Sequence, residues 1–157
     1  MATLFLKIDG IPGESLHDKH KAEIEIDSFS WGASHESSAG SGTGSSAGRC
    51  HFQSLHLTAK MDKAYPELMA LVCSGDHKPT ALLTGIKMGK TVQEYLKIEL
   101  KEVFCTSASV GGSDGQQVVV NYSFDANKVK WQYAPQKADG SLDSYVTKTW
   151  DLKSNKE

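Results

Sequence analysis

The sequence lacks any apolar run approaching the roughly 20 residues a helix needs to cross a bilayer, so no membrane insertion is expected. It also lacks a charge excess: 17 Lys and Arg stand against 19 Asp and Glu, for a net charge of −2. A nucleic-acid or anionic-lipid partner favours a concentrated basic surface, so neither is expected. The opening Met1-Ala2-Thr3-Leu4-Phe5-Leu6-Lys7-Ile8-Asp9 has no basic leader and no long apolar core, which argues against a conventional secretory signal. The three cysteines (Cys50, Cys73, Cys105) are odd in number, far apart and without a Cys-x-x-Cys pair. That pattern fits reduced thiols in a protein made in a cytoplasm. There is no Gly-x-Ser-x-Gly elbow, so an α/β-hydrolase nucleophile has no support.

What is present is short alternation punctuated by glycine and small polar residues. The 157 residues suit one domain spanning 1–157. A chain of that size buries roughly two thirds of its unfolded surface and needs no metal or disulfide staple. Leu4, Leu6 and Ile8 alternate with Phe5, Lys7 and Asp9, and Ile24 and Ile26 with Glu23, Glu25 and Asp27. The runs 118–125 and 128–133 alternate in the same way, and Val146, Trp150 and Leu152 share a face that Lys148 interrupts. A period of two places apolar side chains on one side of a sheet. Half-buried antiparallel strands read like this, whereas buried parallel strands read as continuous apolar runs. Residues 92–104 fit a strand (Leu96, Ile98, Leu100) and also a helix (Val92, Leu96, Leu100, Val103), and periodicity does not separate the two.

One helix is marked at about 64–74. Leu68, Leu71 and Val72 share a face at helical spacing. Pro66 suits a first helical position, or Asp62 caps a start a few residues earlier. Gly75 stands where a left-handed cap is needed. The Gly/Ser segment 34–49 buries little apolar area and is expected to be mobile in the free chain. Residues 110–116 read as a connection between strands.

The chemistry-bearing candidates reduce to scaffold. Gly42-Thr43-Gly44-Ser45-Ser46-Ala47 fits a loose dinucleotide fingerprint, but a strand pattern follows it where a helix is required. Gly85-Ile86-Lys87-Met88-Gly89-Lys90-Thr91 is one residue short of a phosphate loop and reads as a hairpin connection. His17, His20, His51 and His56 lack the converging partners zinc needs and read as surface-loop histidines. Cys105 reads as a small buried hydrophobe. Trp31, Trp131 and Trp150 read as core or subunit-interface residues. No catalytic residue, metal or cofactor is assigned. Composition and spacing alone stop at a soluble β-rich binding or structural module.

Several blocks, in order along nearly the whole chain, resemble the hemolysin-coregulated protein (Hcp) family. They are Phe5-Leu6-Lys7-Ile8-Asp9-Gly10-Ile11-Pro12-Gly13-Glu14-Ser15; His20-Lys21-Ala22-Glu23-Ile24-Glu25-Ile26 followed by Phe29-Ser30-Trp31-Gly32; and Asp62-Lys63 with Pro66 and Leu68. Tyr95, Ile98, Leu100 and Val103 follow, then Trp131-Gln132-Tyr133-Ala134-Pro135-Gln136 with Asp139-Gly140-Ser141, and Trp150-Asp151. Tyr65 before Pro66, where a small residue is usual, departs from the pattern, and the family varies at 34–49. The resemblance implies a mainly β fold, an antiparallel β-barrel of two packed sheets with one short α-helix, and it makes 92–104 a strand. It implies the motif residues Asp9, Gly10, Trp31, Gly32, Asp62, Pro66, Trp131, Tyr133, Pro135 and Trp150 as structural positions. It further implies a non-enzymatic tube subunit of a type VI secretion system: homohexameric rings stack into a tube that a contracting sheath expels behind a trimeric spike protein. Secreted effectors ride in the channel of some members, and export needs no cleaved signal. Gly40, Ser41, Gly42, Thr43 and Gly44 are the candidate ring-stacking loop.

Overall fold

The computed structural model describes residues 3–36, 49–89 and 91–157. Ten strands and one helix follow in order: β1 (Leu4–Ile8), β2 (Ile24–Glu25), β3 (Ser28–Ser30), β4 (Ala33–His35), β5 (Cys50–Phe52), β6 (Leu55–Lys60), α1 (Ala64–Ser74), β7 (His77–Met88), β8 (Val92–Gly111), β9 (Val119–Tyr133) and β10 (Val146–Asp151). Every pairing is antiparallel. The main sheet runs β2-β1-β7-β8-β9-β6-β3, with β10 added to β9, and β4–β5 form a separate two-stranded sheet.

The two expected layers are largely one curled sheet. Its curl depends on the long strands and on one short run. β9 pairs with β6 through its first half and with β10 through its second. β8 pairs with β9 across nearly its whole length but shifts register between Cys105 and Ser107. Glu102, in the middle of β8, has a positive φ of 51°. Its carboxylate accepts from Asn127 Nδ2 at 2.7 Å and lies 3.1 Å from Lys153 Nζ, which anchors this irregular residue. At the sheet's other end, residues 24–30 switch partners. β2 pairs with β1, the Ile26 N–H donates to Leu4 O and the Asp27 N–H to Thr58 O, and β3 then pairs with β6. One run therefore ties the first strand of the sheet to its far edge.

The alternation read from the sequence becomes the core. Leu6, Ile8, Ile24, Leu55, Leu57, Leu83, Leu100, Val120, Tyr122 and Phe124 are buried together. Each such side chain contributes about 1.5–3 kcal/mol when removed from water. The helix buries Ala64, Leu68 and Leu71 against this core. Pro66 is its third residue rather than its first, and the Asp62 carboxylate accepts from the Ala64 N–H at 3.0 Å. Gly75 ends it with a φ of 73°, the left-handed cap expected of glycine. Residues 92–104 lie within β8, so the strand reading holds. The phosphate-loop look-alike begins within β7, which runs to Met88, and ends just before β8, with Lys90 outside the described residues.

One sequence reading is corrected: His20 is not a surface-loop histidine. It is buried, stacked on Phe5 at 4.6 Å between ring centroids, with Nδ1 3.0 Å from the Glu23 carboxylate. Its Nε2 lies 3.0 Å from Glu94 Oε1 without the alignment of a hydrogen bond. Glu94 is 74 positions away in sequence, and no local pattern announces it. The same segment is cinched by Gly13 N–H to Ala22 O and Ala22 N–H to Ser15 O. Any Cβ at Gly13 would sit 2.5 Å from the Glu23 carbonyl oxygen, so only glycine permits this approach.

Two ionisable groups are held neutral in the core. Burial pushes the Cys105 thiol up to about 12. Burial also raises Tyr122, which is 1% exposed, with the nearby Asp62 charge acting in the same direction. The Tyr122 hydroxyl has no hydrogen-bond partner among the described residues. Cys73, by contrast, is exposed. At pH 8 a thiol reagent should label Cys73 readily and reach Cys105 only after denaturation, which peptide mapping by mass spectrometry checks. Tyr122→Phe removes an unpaired buried donor and should leave stability unchanged or raise it by up to about 1 kcal/mol in urea titration.

Candidate assembly surfaces

The fold places the chain's three tryptophans in one cleft. Trp31 leaves β3, Trp131 lies on β9 and Trp150 on β10, and Trp131 and Trp150 share a face because Lys148 opposes Trp131 and Trp150 opposes Val129. The Trp31 and Trp131 rings meet edge-on at 5.9 Å, and Phe52 of β5 stacks on Trp31 at 5.3 Å. Leu96 and Ile98 of β8 and Gly32 complete an apolar cleft of about 720 Å³ between the β4–β5 sheet and the main sheet. All three indoles are half-buried, which matches packing residues more than an exposed platform. Tyr133, at the end of β9, is more exposed and meets Tyr95 edge-on at 6.4 Å.

The other assigned positions are turns and anchors. Asp9 and Gly10 form the turn after β1, with Gly10 at a φ of 76° and the Asp9 N–H donating to Thr80 O. Gly32 O accepts from the Gln53 N–H at 2.8 Å, and Pro135 O accepts from the Asp143 N–H at 2.8 Å. Asp62 lies in a second, polar groove of about 730 Å³, where the first strand, the 13–27 segment and the end of β6 meet. Glu14, Glu25 and Asp27 line it too, with Lys60 as its one lysine. Burial raises the Asp62 pKa and the charges of Glu14 and Glu25 add to the rise, while the hydrogen bond from Ala64 opposes it. Gly40, Ser41, Gly42, Thr43 and Gly44 fall in 37–48, outside the described residues.

Sequence reasoning missed several surface features. Leu16 is 86% exposed at the rim of the polar groove, on a segment held rigid by His17 and His20 packing against Phe5. Among the described residues the outer edge of β10 is met only by an isolated bridge between Asp151 and Lys156, and Val146 on it is 62% exposed. An unpaired edge and exposed apolar side chains are what a neighbouring chain can use. Alternation along 128–133 and 97–101 did give the direction of each side chain, but which polar faces adjoin one another required the register. Among the described residues no group of three or more His, Cys, Asp or Glu could hold a metal ion.

The comparisons agree with this geometry. The family model described as type VI secretion system effector, Hcp, matches residues 5–133. Protein hcp1 of Pseudomonas aeruginosa is 41% identical over 155 residues, spanning 97% of this chain and 96% of that protein. A solved type six secretion system protein superposes with a TM-score of 0.92 at 29% identity, covering 99% of both chains. Hcp1 from Salmonella typhimurium superposes with a TM-score of 0.82 at 33% identity, again covering 99% of both. The ordered blocks of the sequence, the curled antiparallel sheet with its single helix and these end-to-end matches agree, and the chain belongs to the Hcp family of type VI secretion system proteins.

Proposed function

We propose that the chain is the tube subunit of a type VI secretion apparatus. Six copies close a ring around a channel, rings stack into an inner tube, and sheath contraction drives the tube outward behind a trimeric spike. The observation that carries this reading is the end-to-end match to the Hcp family. The surface supports it. A ring needs head-to-tail contacts between two different patches of the same chain, and among the described residues β10 offers an edge open from Val146 to Trp150 beside the exposed Tyr133 and Val146. In this reading the partners are further copies of the chain, the spike, the sheath and effectors carried in the channel. The protein is made in the bacterial cytoplasm and leaves it without a cleaved signal.

The same reading makes the protein structural rather than catalytic. Its most perturbed thiol and phenol, Cys105 and Tyr122, lie in the core beyond the reach of a substrate. Stacking is assigned to Gly40, Ser41, Gly42, Thr43 and Gly44. A Gly/Ser segment orders on the next ring at an entropic cost, which keeps the contact reversible. Its base is the β4–β5 ladder, where Ala33 pairs with Phe52 and His35 with Cys50.

Native mass spectrometry at low micromolar protein should show a dominant six-subunit species; a monomer at every salt concentration would overturn the ring. Deleting 38–47 should leave that species intact and shorten or abolish tubes seen by negative-stain electron microscopy. Loss of rings would reassign the segment to ring closure, and unchanged tubes would remove it from stacking.

A further inference from the structure

Residues 13–23 form a closed turn over β1, and their backbone bonds run within the turn: Gly13 N–H to Ala22 O, Ser15 N–H to Glu23 O, Ala22 N–H to Ser15 O and Glu23 N–H to His20 O. Closing it holds Ala22 at a φ of 60°, a left-handed conformation disfavoured for a residue with a Cβ. At the start of the turn Glu14 accepts from the Lys63 N–H at the helix entry, at 2.9 Å. Its crest, His17 to His20, rests on the Phe5 ring of β1, at 5.2 Å from His17 and 4.6 Å from His20. Among the described residues, the one polar contact from this crest to another strand is His20 Nε2, 3.0 Å from Glu94 Oε1 of β8.

Both ring nitrogens of His20 therefore face carboxylates, since Nδ1 lies 3.0 Å from Glu23. The His20 side chain is only 5% exposed. An ionised carboxylate accepts and cannot donate, so the Glu23 contact places a hydrogen on Nδ1. In the neutral ring Nε2 then turns a lone pair toward Glu94, and two acceptors oppose each other out of water. With a second proton Nε2 becomes a donor, and both contacts become ion pairs. Burial opposes the added charge, and carboxylates in contact favour it. Glu23 and Glu94 are those in contact. Further out stand His17 of the same turn, Lys97 of β8 at 3.3 Å from Glu94, Tyr145 beneath Lys97, and Glu25 of β2 opposite Phe5. Asp18, Lys19 and Lys21 are exposed, and β7 presents the uncharged Thr84 opposite Phe5.

We propose that His20 is a proton-operated latch: doubly protonated, it pins the crest of the 13–23 turn to β8 through Glu94, and when Nε2 gives its proton to solvent the pin is lost. The latch is closed below the titration of the ring and opens as pH rises through it. What it controls is surface. Leu16, 86% exposed, rides on the crest beside His17, and both line the polar groove. Opening lets that wall of the groove move, helped by the strain at Ala22.

Two exchange measurements on the full chain, both read by mass spectrometry, test it across the pH range in which circular dichroism shows the chain folded. Exchange of the His20 ring C2 hydrogen, in a fragment free of His17, traces the protonation of the ring. Exchange of the 14–23 backbone amides, divided by their intrinsic rates, reads closure of the turn. Protection of these amides should fall about tenfold as the ring loses its proton. Glu94→Gln, at a side chain 29% exposed, removes the carboxylate and leaves His20 and Phe5 in place. Its turn should be weakly protected at every pH and should not follow the ring. A ring that does not titrate while the chain is folded, protection that ignores the titration, or a Glu94→Gln turn protected as in wild type would overturn the latch.

Discussion

The structure hangs on a change of partner at Ile26 and Asp27. A curled sheet leaves two far ends whose backbone groups need partners. Here one run, 24–30, supplies partners to both: β1 through β2, and β6 through β3. Ile26, at the switch, is buried in the core, so the crossing residue is also a packing residue. Because the ends are fixed by hydrogen bonds rather than by side chains alone, the curl is set. The aromatic cleft and the polar groove then take up defined positions around it.

Much of this was legible from residues. Alternation identified the core faces of Ile24 with Ile26 and of β9, because a half-buried strand must alternate; in β1 it gave Leu6 and Ile8 but placed Phe5 on the polar side, where the His17 and His20 rings in fact cover it. The bounds of α1 followed from Asp62, the Leu68 and Leu71 face, and Gly75. The ordered blocks of residues carry the likeness to the Hcp family by themselves. Other features were not legible for equally physical reasons. β8 spans 20 residues because bulge and bend let one strand serve two parts of the sheet. Nothing in its sequence separates Val92–Gly111 from a shorter strand or a helix. His20 looked exposed because its loop is polar; its burial depends on Phe5 from one strand and Glu94 from another. The site surfaces were least visible of all. Alternation gives each lysine a direction, but only pairing register reveals that Lys128 stands opposite Lys101 and that Lys130 stands opposite Glu99.

The charges sort by depth. In the interior, a thiol and a phenol remain protonated because burial disfavours their charged forms. At the surface, lysines and carboxylates interleave: Lys97 pairs with Glu94, Lys101 with Glu99, Lys148 with Glu157 and Lys153 with Glu102. Exposed pairs of this kind contribute little to stability, about 0–1 kcal/mol each.

The position of β1 has a mechanical consequence. It is flanked by β2 on one side and β7 on the other. A load applied along this strand falls on two hydrogen-bonded ladders at once, in shear, so they must fail together. β10 is laddered to β9 alone from Val146 to Trp150, with one bridge to Lys156 at Asp151, and can peel from its Val146 end, one bond after another. A subunit thrust forward through its β1 side would carry the stroke as a rigid body, while the β10 side would be the compliant seam where deformation collects.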